Sequence, residues 1–171
     1  MATQNLLQRL DAAADTTGSS VNASDRRIEE VFIASEAIAA GDFVTLDLSK
    51  SDDSDKALHV KKLTDSVTAS ITSLCVGVAI AASAAAGDNI RICVRGMISA
   101  NVATGVNQGD RLVGSSTGGR AAVAPSYRSD QKEGSGGAGA GAVTQQQHIV
   151  ALAVSASGGT NVATVYVLPN F

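Results

Sequence analysis

The sequence predicts an all-β protein, a small barrel or sandwich of short strands, preceded by an N-terminal arm that carries one short helix. From residue 28 onward, short apolar runs alternate with polar positions at a period of two, which is the spacing of half-buried strands. Gly, Asp and Ser separate these runs, and no helical pattern of about ten residues intervenes as it would in a parallel α/β sheet. Helical spacing of apolar residues appears near the N-terminus.

The arm is predicted to span residues 1–27. Leu6, Leu7 and Leu10 fall at helical spacing within residues 3–14, and the residues that follow are rich in Ser, Thr, Asp and Gly. A helix of about 12 residues is marginal in water. We therefore expect the leucine stripe to become ordered by docking on its own domain or on a neighbouring subunit.

The β domain is predicted to span residues 28–171, with a flexible glycine-rich loop at about 125–147. Within that loop, residues 134–142 are all Gly, Ala or Ser and cannot contribute to a core. The last two strands flank residues 156–161 and are expected to form a hairpin. The predicted strands are VFIAS, FVTLDL, ALHVKKL, SLCVGVAI, IRICVRGMI, RLVG, AAVA, HIVALAVS and VATVYVL.

Three of these strands are predicted to have one apolar face turned to the core. In the strand that begins at Ile90, the alternation leaves Arg91 and Arg95 on the opposite, outward face with Cys93 and Met97. The three predicted core faces are Val44, Leu46 and Leu48; Leu74, Val76, Val78 and Ile80; and Ile90, Ile92, Val94 and Ile98.

The composition indicates a thin core and excludes some partners. Among 171 residues there is no Trp, with three Phe and two Tyr, so the core depends on Ala, Val, Ile and Leu. A chain this poor in aromatic residues is expected to gain stability by associating with copies of itself or with a partner. The net charge of −3 argues against nucleic acid and anionic membranes as partners. The absence of a long apolar stretch argues against a membrane span or a signal peptide, so we expect synthesis in the cytoplasm.

A Gly-Asp pair precedes a strand three times, as Gly41-Asp42, Gly87-Asp88 and Gly109-Asp110. Glycine supplies the positive φ of a tight turn, and aspartate bonds back to nearby backbone N–H groups. The repetition therefore indicates a structural turn. A metal site would require the three carboxylates to converge, which the sequence gives no reason to expect.

The order of these motifs resembles that of the small head decoration (cement) proteins of tailed bacteriophages, over residues 38–118. That family's pattern has an AGD turn and strand, a VGVA strand, a second AGD turn, a strand ending in RG and a hydrophobic residue, and a QGD turn. The matching residues are Gly41-Asp42, Val76-Gly77-Val78-Ala79, Gly87-Asp88, Arg95-Gly96-Met97 and Gly109-Asp110.

The resemblance implies a β domain on the outer capsid surface of the virion, made in the host cytoplasm, that clamps adjacent subunits of the major capsid protein. Closed symmetry buries an exposed patch without open-ended growth, so a homotrimer is favoured, since local three-fold positions are natural docking sites on an icosahedral shell. The candidate interface residues are Leu6, Leu7, Leu10, Arg26, Arg27, Arg91, Arg95 and Arg111. For the three strand arginines the alternative is an ordinary solvated face.

Other functions remain as alternatives. An enzyme needs a nucleophile, base or metal set, but His59 and His148 are the only histidines, and Cys75 and Cys93 lie in strands where a thiol is usually inert. We therefore expect no catalysis, metal or cofactor, and two buried free thiols. A carrier or ligand-binding β module resembling lipoyl-type barrels would present a lysine at a hairpin tip, which is not evident. A tail or adhesin component would use the same physics as a decoration protein, and the sequence does not separate these two.

Overall fold

The computed structural model describes residues 27–64, 75–124 and 149–168. In this part of the chain, none of the helices is long and apolar enough to cross a membrane. The elements in order are β1 (Ile28–Ala34), β2 (Phe43–Leu46), α1 (Asp53–Leu58), β3 (His59–Lys62), β4 (Cys75–Ala79), β5 (Asn89–Asn101), β6 (Arg111–Gly114), β7 (Ala121–Val123), β8 (Ala151–Ala153) and β9 (Val162–Val167).

The first five strands close into a barrel in the order β1, β3, β2, β4, β5 and back to β1. The β1–β3 pair is parallel, and the other four pairs are antiparallel. Closure leaves none of these five strands as a free edge. The structure confirms the predicted all-β class and, of the two predicted architectures, shows the barrel.

Strand β5 is longer than the others and continues beyond the barrel. Its second half pairs with β9, and the sheet extends through β8 and β6 to β7. The predicted hairpin between the last two strands is confirmed by the antiparallel pairing of β8 with β9. A single bridge between Val102 and Ala121 connects β7, at the far edge of this sheet, to the residue that follows β5. We call β9, β8, β6 and β7, with this half of β5, the second sheet.

Two hydrophobic cores result from this arrangement. The interior of the barrel contains Phe32, Ala34, Ile38, Val44, Val60, Val76, Ala79, Ile90 and Ile92. The second core lies between β2, β4 and β5 of the barrel and the second sheet. Its largest members include Phe43, Leu63, Val78, Ile98, Val102, Val106, Leu112, Val150 and Val165. Fully burying such a side chain stabilises the fold by about 1.5–3 kcal/mol.

The predicted single core face of β2 is wrong, because β2 lies between the two cores. Val44 and Leu46 pack in the barrel, but Phe43 is fully buried in the second core. Asp47 is also buried, whereas Leu48 is 57% exposed. Strand β2 therefore has buried residues on both faces, which an alternating pattern does not predict.

In β4 the structure also corrects the predicted face. Val76 packs in the barrel and Val78 in the second core, although they are two residues apart. The pairing of β4 with β2 shifts register between Val44 and Thr45, which leaves Val76 as the extra residue of a bulge. The bulge changes which side each following residue faces. Leu74 lies outside the described residues, and Ile80 packs against the second core.

A similar change of phase occurs within β5. Ile90, Ile92 and Val94 face the barrel interior as predicted, but Ile98 belongs to the second core. Cys93, which was predicted to point outward, is fully buried in the second core. The pairing of β5 with β1 shifts register between Ile28 and Glu29, which leaves Val94 as the extra residue of a bulge. Two residues later Gly96 has φ 116°, a conformation that L side chains rarely adopt. The bulge and the glycine together change the side to which the second half of β5 turns its apolar residues.

Helix α1 was not predicted from the sequence. It has six residues and connects β2 to β3. Its first turn contains Asp53 and Asp55, which favour the positive end of the helix dipole, and Lys56 pairs with Asp53 at 2.8 Å. None of its residues is buried. The segment has no helical spacing of apolar residues, so its sequence does not predict a helix. Its place as the connection between β2 and β3 is known only from the structure.

Candidate interaction surface

Arg91 lies on the outside of the barrel, directly opposite Val31 on β1. Its guanidinium bonds to the carboxylate of Glu29, whose other oxygen lies 3.1 Å from the guanidinium of Arg27. Two arginines therefore share one carboxylate, and the group keeps a formal charge of +1. Arg91 and Val31 are 61% and 62% exposed, so this group combines charge with an exposed apolar side chain. The pairing with Glu29 was not predicted.

Arg95 is exposed and is aligned with Ile28 on β1, near the end of the barrel. Together with Glu30 it provides the charged lining of a cavity of about 500 Å³ at this end. The remaining lining is apolar and comes from β1, β2, α1, β4 and β5. We call this the barrel-end cavity; it is lined by Ile28, Glu30, Phe32, Leu46, Ala57, Val76, Val94 and Arg95.

Arg111 lies apart from the other two strand arginines. Arg111 is opposite Leu152 on β8. Across the next two strands, Leu152 is opposite Tyr166 on β9, and Tyr166 is opposite Met97 on β5. These four side chains form one row across the second sheet, on the face turned away from the second core. Because Arg111 is three strands from Met97, about 14 Å at ordinary strand spacing, the structure does not bring it to Arg91.

The other candidate interface residues are placed as follows. Arg27 is described and contacts Glu29, and its Nε is buried without a hydrogen-bond partner. Leu6, Leu7, Leu10 and Arg26 lie outside the described residues. The glycine-rich segment 125–147 and His148 also lie outside them.

All three Gly-Asp pairs form turns of the same kind. Gly41, Gly87 and Gly109 have φ of 85°, 93° and 89°. In each turn the aspartate carboxylate accepts a hydrogen bond from the backbone N–H three residues earlier, at 2.8–3.0 Å. Each carboxylate thus bonds within its own turn. Among the described residues there is no group of three His, Cys, Asp or Glu side chains that could hold a metal ion.

The first of these turns also joins the barrel to the second sheet. Asp42 is buried and accepts a hydrogen bond of 2.8 Å from the side chain of Asn101, at the end of β5. Gly119 packs so closely on Asp42 that an added Cβ would lie 2.5 Å from its Cγ. The carbonyl of Gly119 accepts from the N–H of Phe43 at 2.8 Å. The roles of Asn101 and Gly119 were not predicted, and no local pattern marks them.

A second buried carboxylate lies just beyond β2. Asp47 accepts from the Ser49 hydroxyl at 2.6 Å and pairs with Lys61 at 3.3 Å. Burial by itself raises the pKa of Asp47, but the hydrogen bonds from the hydroxyl and backbone N–H of Ser49 and the ion pair with Lys61 outweigh burial and hold that pKa well below its usual range. Lys61 thus forms an ion pair that connects β3 with the end of β2.

The candidate nucleophiles are in surroundings that suppress reactivity. Neither Cys75 nor Cys93 is in a disulfide, and both are buried. Burial raises the pKa of Cys75 to about 12. Burial also raises the pKa of Cys93, although the charge of Arg27 partly opposes this rise. His59 begins β3, and its Nδ1 lies 2.8 Å from the carbonyl of Asp55.

Comparison with known proteins yields a match at the level of structure alone. No protein-family model matches the chain, and no curated protein matches it. Among solved structures, the chain is similar to the head fiber gp8.5 N base of bacteriophage phi29, with 12% sequence identity and a TM-score of 0.49. The match covers 82% of this chain and 93% of that chain.

Proposed function

We propose that this chain is a structural virion protein of a tailed bacteriophage that binds the outer surface of the capsid and stabilises contacts between major capsid subunits. The observation that carries the proposal is the placement of the motifs that resemble decoration proteins. Residues 38–118 contain four of the five barrel strands, and all three Gly-Asp pairs form the same turn. The motifs thus belong to one structural unit.

The exposed residues near β1 and β5 support a binding role. The group formed by Arg91, Arg27 and Glu29 has a net positive charge beside the exposed Val31. Arg95 lies on β5 like Arg91 and is opposite Ile28 of β1. Arginine pairs with carboxylates through two parallel hydrogen bonds, which suits recognition of an acidic protein surface. Arg27 still pairs with Glu29 when Arg91 is replaced, so binding and folding can be tested separately.

We also propose that the protein docks as a trimer and has no catalytic activity. The row of Met97, Tyr166, Leu152 and Arg111 supports association, because it places apolar side chains and one charge on an exposed sheet face. Burial of the two thiols supports the absence of a thiol nucleophile.

The test is binding to undecorated capsids assembled from the phage's major capsid protein. We expect the wild type to cosediment with these capsids and the double variant R91A/R95A to lose at least tenfold in affinity at an unchanged melting temperature, because a desolvated charge pair contributes on the order of 2 kcal/mol. The control K50A/K56A removes the same charge elsewhere and should bind normally. Absence of wild-type binding would refute the proposal, and a normal double variant would exclude these arginines as the interface.

A further inference from the structure

The barrel-end cavity is an apolar site that the described residues leave open. Six of its eight lining residues are apolar, and about 500 Å³ falls within the range of cavities that bind ligands. Ile28, one of the lining residues, is 50% exposed. An exposed large apolar side chain that lines an apolar cavity favours an apolar occupant.

The N-terminal arm joins the barrel at this cavity. The described part of the chain begins at Arg27, and the next residue, Ile28, lines the cavity. Residues 1–26 are therefore attached at its edge. Within them, Leu6, Leu7 and Leu10 are the large aliphatic residues at helical spacing, so that one face of a helix presents all three.

From these observations we propose that the barrel-end cavity is the docking site for the leucine stripe of the chain's own arm. Leu6, Leu7 and Leu10 enter the cavity and cover its apolar lining. This inference concerns the free protein and does not rest on capsid binding.

Chain length favours the chain's own arm over that of a second copy. Sixteen residues, 11–26, link Leu10 to the barrel. A random coil of sixteen residues has an end-to-end distance of about 20–24 Å. The segment can therefore fold back onto a cavity that begins where the linker ends. A linker this short gives an effective concentration on the order of millimolar, which exceeds that of a second copy in dilute solution.

Charge is compatible with this docking. The cavity presents one carboxylate, Glu30, and one guanidinium, Arg95. Arg9 and Asp11 flank Leu10 in the sequence. An arm docked through Leu10 therefore brings one positive and one negative charge to a lining that also has one positive and one negative charge. Neither lining charge then needs to be buried against a wholly apolar partner.

Disulfide trapping in the full-length protein tests the site. The double variant L10C/A57C should form an intramolecular disulfide on mild oxidation, because Ala57 lines the cavity, is exposed and belongs to a surface helix. The control L10C/T104C places the second cysteine beyond the end of β5, at least about 23 Å along the strand from Val94, and should not form one. The native thiols are buried, so they should not compete.

A second measurement does not depend on cross-linking. Replacing Leu6, Leu7 and Leu10 with serine should increase the fluorescence of the apolar dye ANS several-fold over that of the wild type, and the surface control L48S should not. Equal trapping at positions 57 and 104, or unchanged dye binding in the triple variant, would overturn the proposal. A disulfide between separate L10C and A57C chains that forms as readily as the intramolecular one would also overturn it, in favour of arm exchange. Strong dye binding by the wild type would instead indicate a ligand site.

Discussion

The side-chain amide of Asn101 donates a hydrogen bond of 2.8 Å to the carboxylate of Asp42, 59 positions earlier in the chain. This bond connects the turn before β2 with the end of β5, and it lies where the barrel meets the second sheet. Gly119 packs against the same carboxylate. Asp42 therefore has two functions: like the other two aspartates it stabilises its own turn, and it also joins two layers of the protein.

The variant D42A is expected to be less stable than D110A. Removal of the Asp42 carboxylate leaves polar groups at a buried junction without a partner, which costs about 1–3 kcal/mol. Asp110 bonds its own turn at a partly exposed site, so D110A should cost about 1 kcal/mol or less. Urea unfolding of both variants measures the difference. Equal losses would show that the Asn101 bond adds nothing beyond the turn.

Gly77 should not tolerate a side chain, because β4 and β5 approach closely there. An added Cβ would lie 2.3 Å from the carbonyl oxygen of Cys93 and 2.7 Å from Cγ2 of Ile92. G77A is expected to lose roughly 3 kcal/mol, at the upper end of overpacking effects. At Gly159, by contrast, no atom lies within 4 Å of an added Cβ, so G159A should change stability by about 0.5 kcal/mol or less. The melting temperatures of G77A and G159A give the comparison. A G77A variant as stable as the wild type would mean that β4 and β5 can move apart at this point without loss of stability.

Asp47 should make stability depend on pH in the acid range. Its pKa is lower in the folded protein than in the unfolded chain, so the folded state favours the ionised form. The resulting stabilisation is complete above the unfolded-state pKa, about 3.9, and is lost as pH falls through the lower folded-state pKa. The stability difference between wild type and D47N should therefore be constant near neutral pH and shrink below about pH 4. Urea midpoints from pH 7 to pH 2.5 measure it.

The exposed Asp53 provides the control for this experiment, because its side chain is 97% exposed. D53N should differ little from the wild type at any pH. A D47N difference that does not change with pH would contradict the ionic origin of the stabilisation.

Neither native thiol is expected to react with the thiol reagent DTNB at pH 8 in the folded protein. The pKa of Cys75 is raised to about 12, so little thiolate forms, and both side chains are buried. In denaturant both thiols should react, two per chain. A variant with an exposed thiol, S99C, should react at once while folded, which verifies the assay. Rapid reaction of one native cysteine would show that it is accessible and would reopen the question of a thiol nucleophile.

The sequence by itself determined the β class, the strands and the Gly-Asp turns, because these depend on local physics. A period of two specifies a strand, and glycine followed by aspartate specifies a turn whether or not the rest of the chain is present. The outward exposure of Arg91 also follows from alternation within one strand, whereas Arg95 comes after the bulge at Val94, which changes the alternation. Their relation to Arg111 does not follow from alternation, since it depends on which strands are neighbours.

Only the tertiary structure decided which face of each strand is buried and what each charge contacts. The predicted faces of β2, β4 and β5 were incomplete because two cores share these strands, and the bulge at Val76 and the positive φ of Gly96 change the phase of the alternation. Helix α1, the pairing of Arg91 with Glu29 and the bond between Asn101 and Asp42 were not predicted either. The last two join residues about 60 positions apart, and such partners are chosen by strand order and register, which no local pattern specifies.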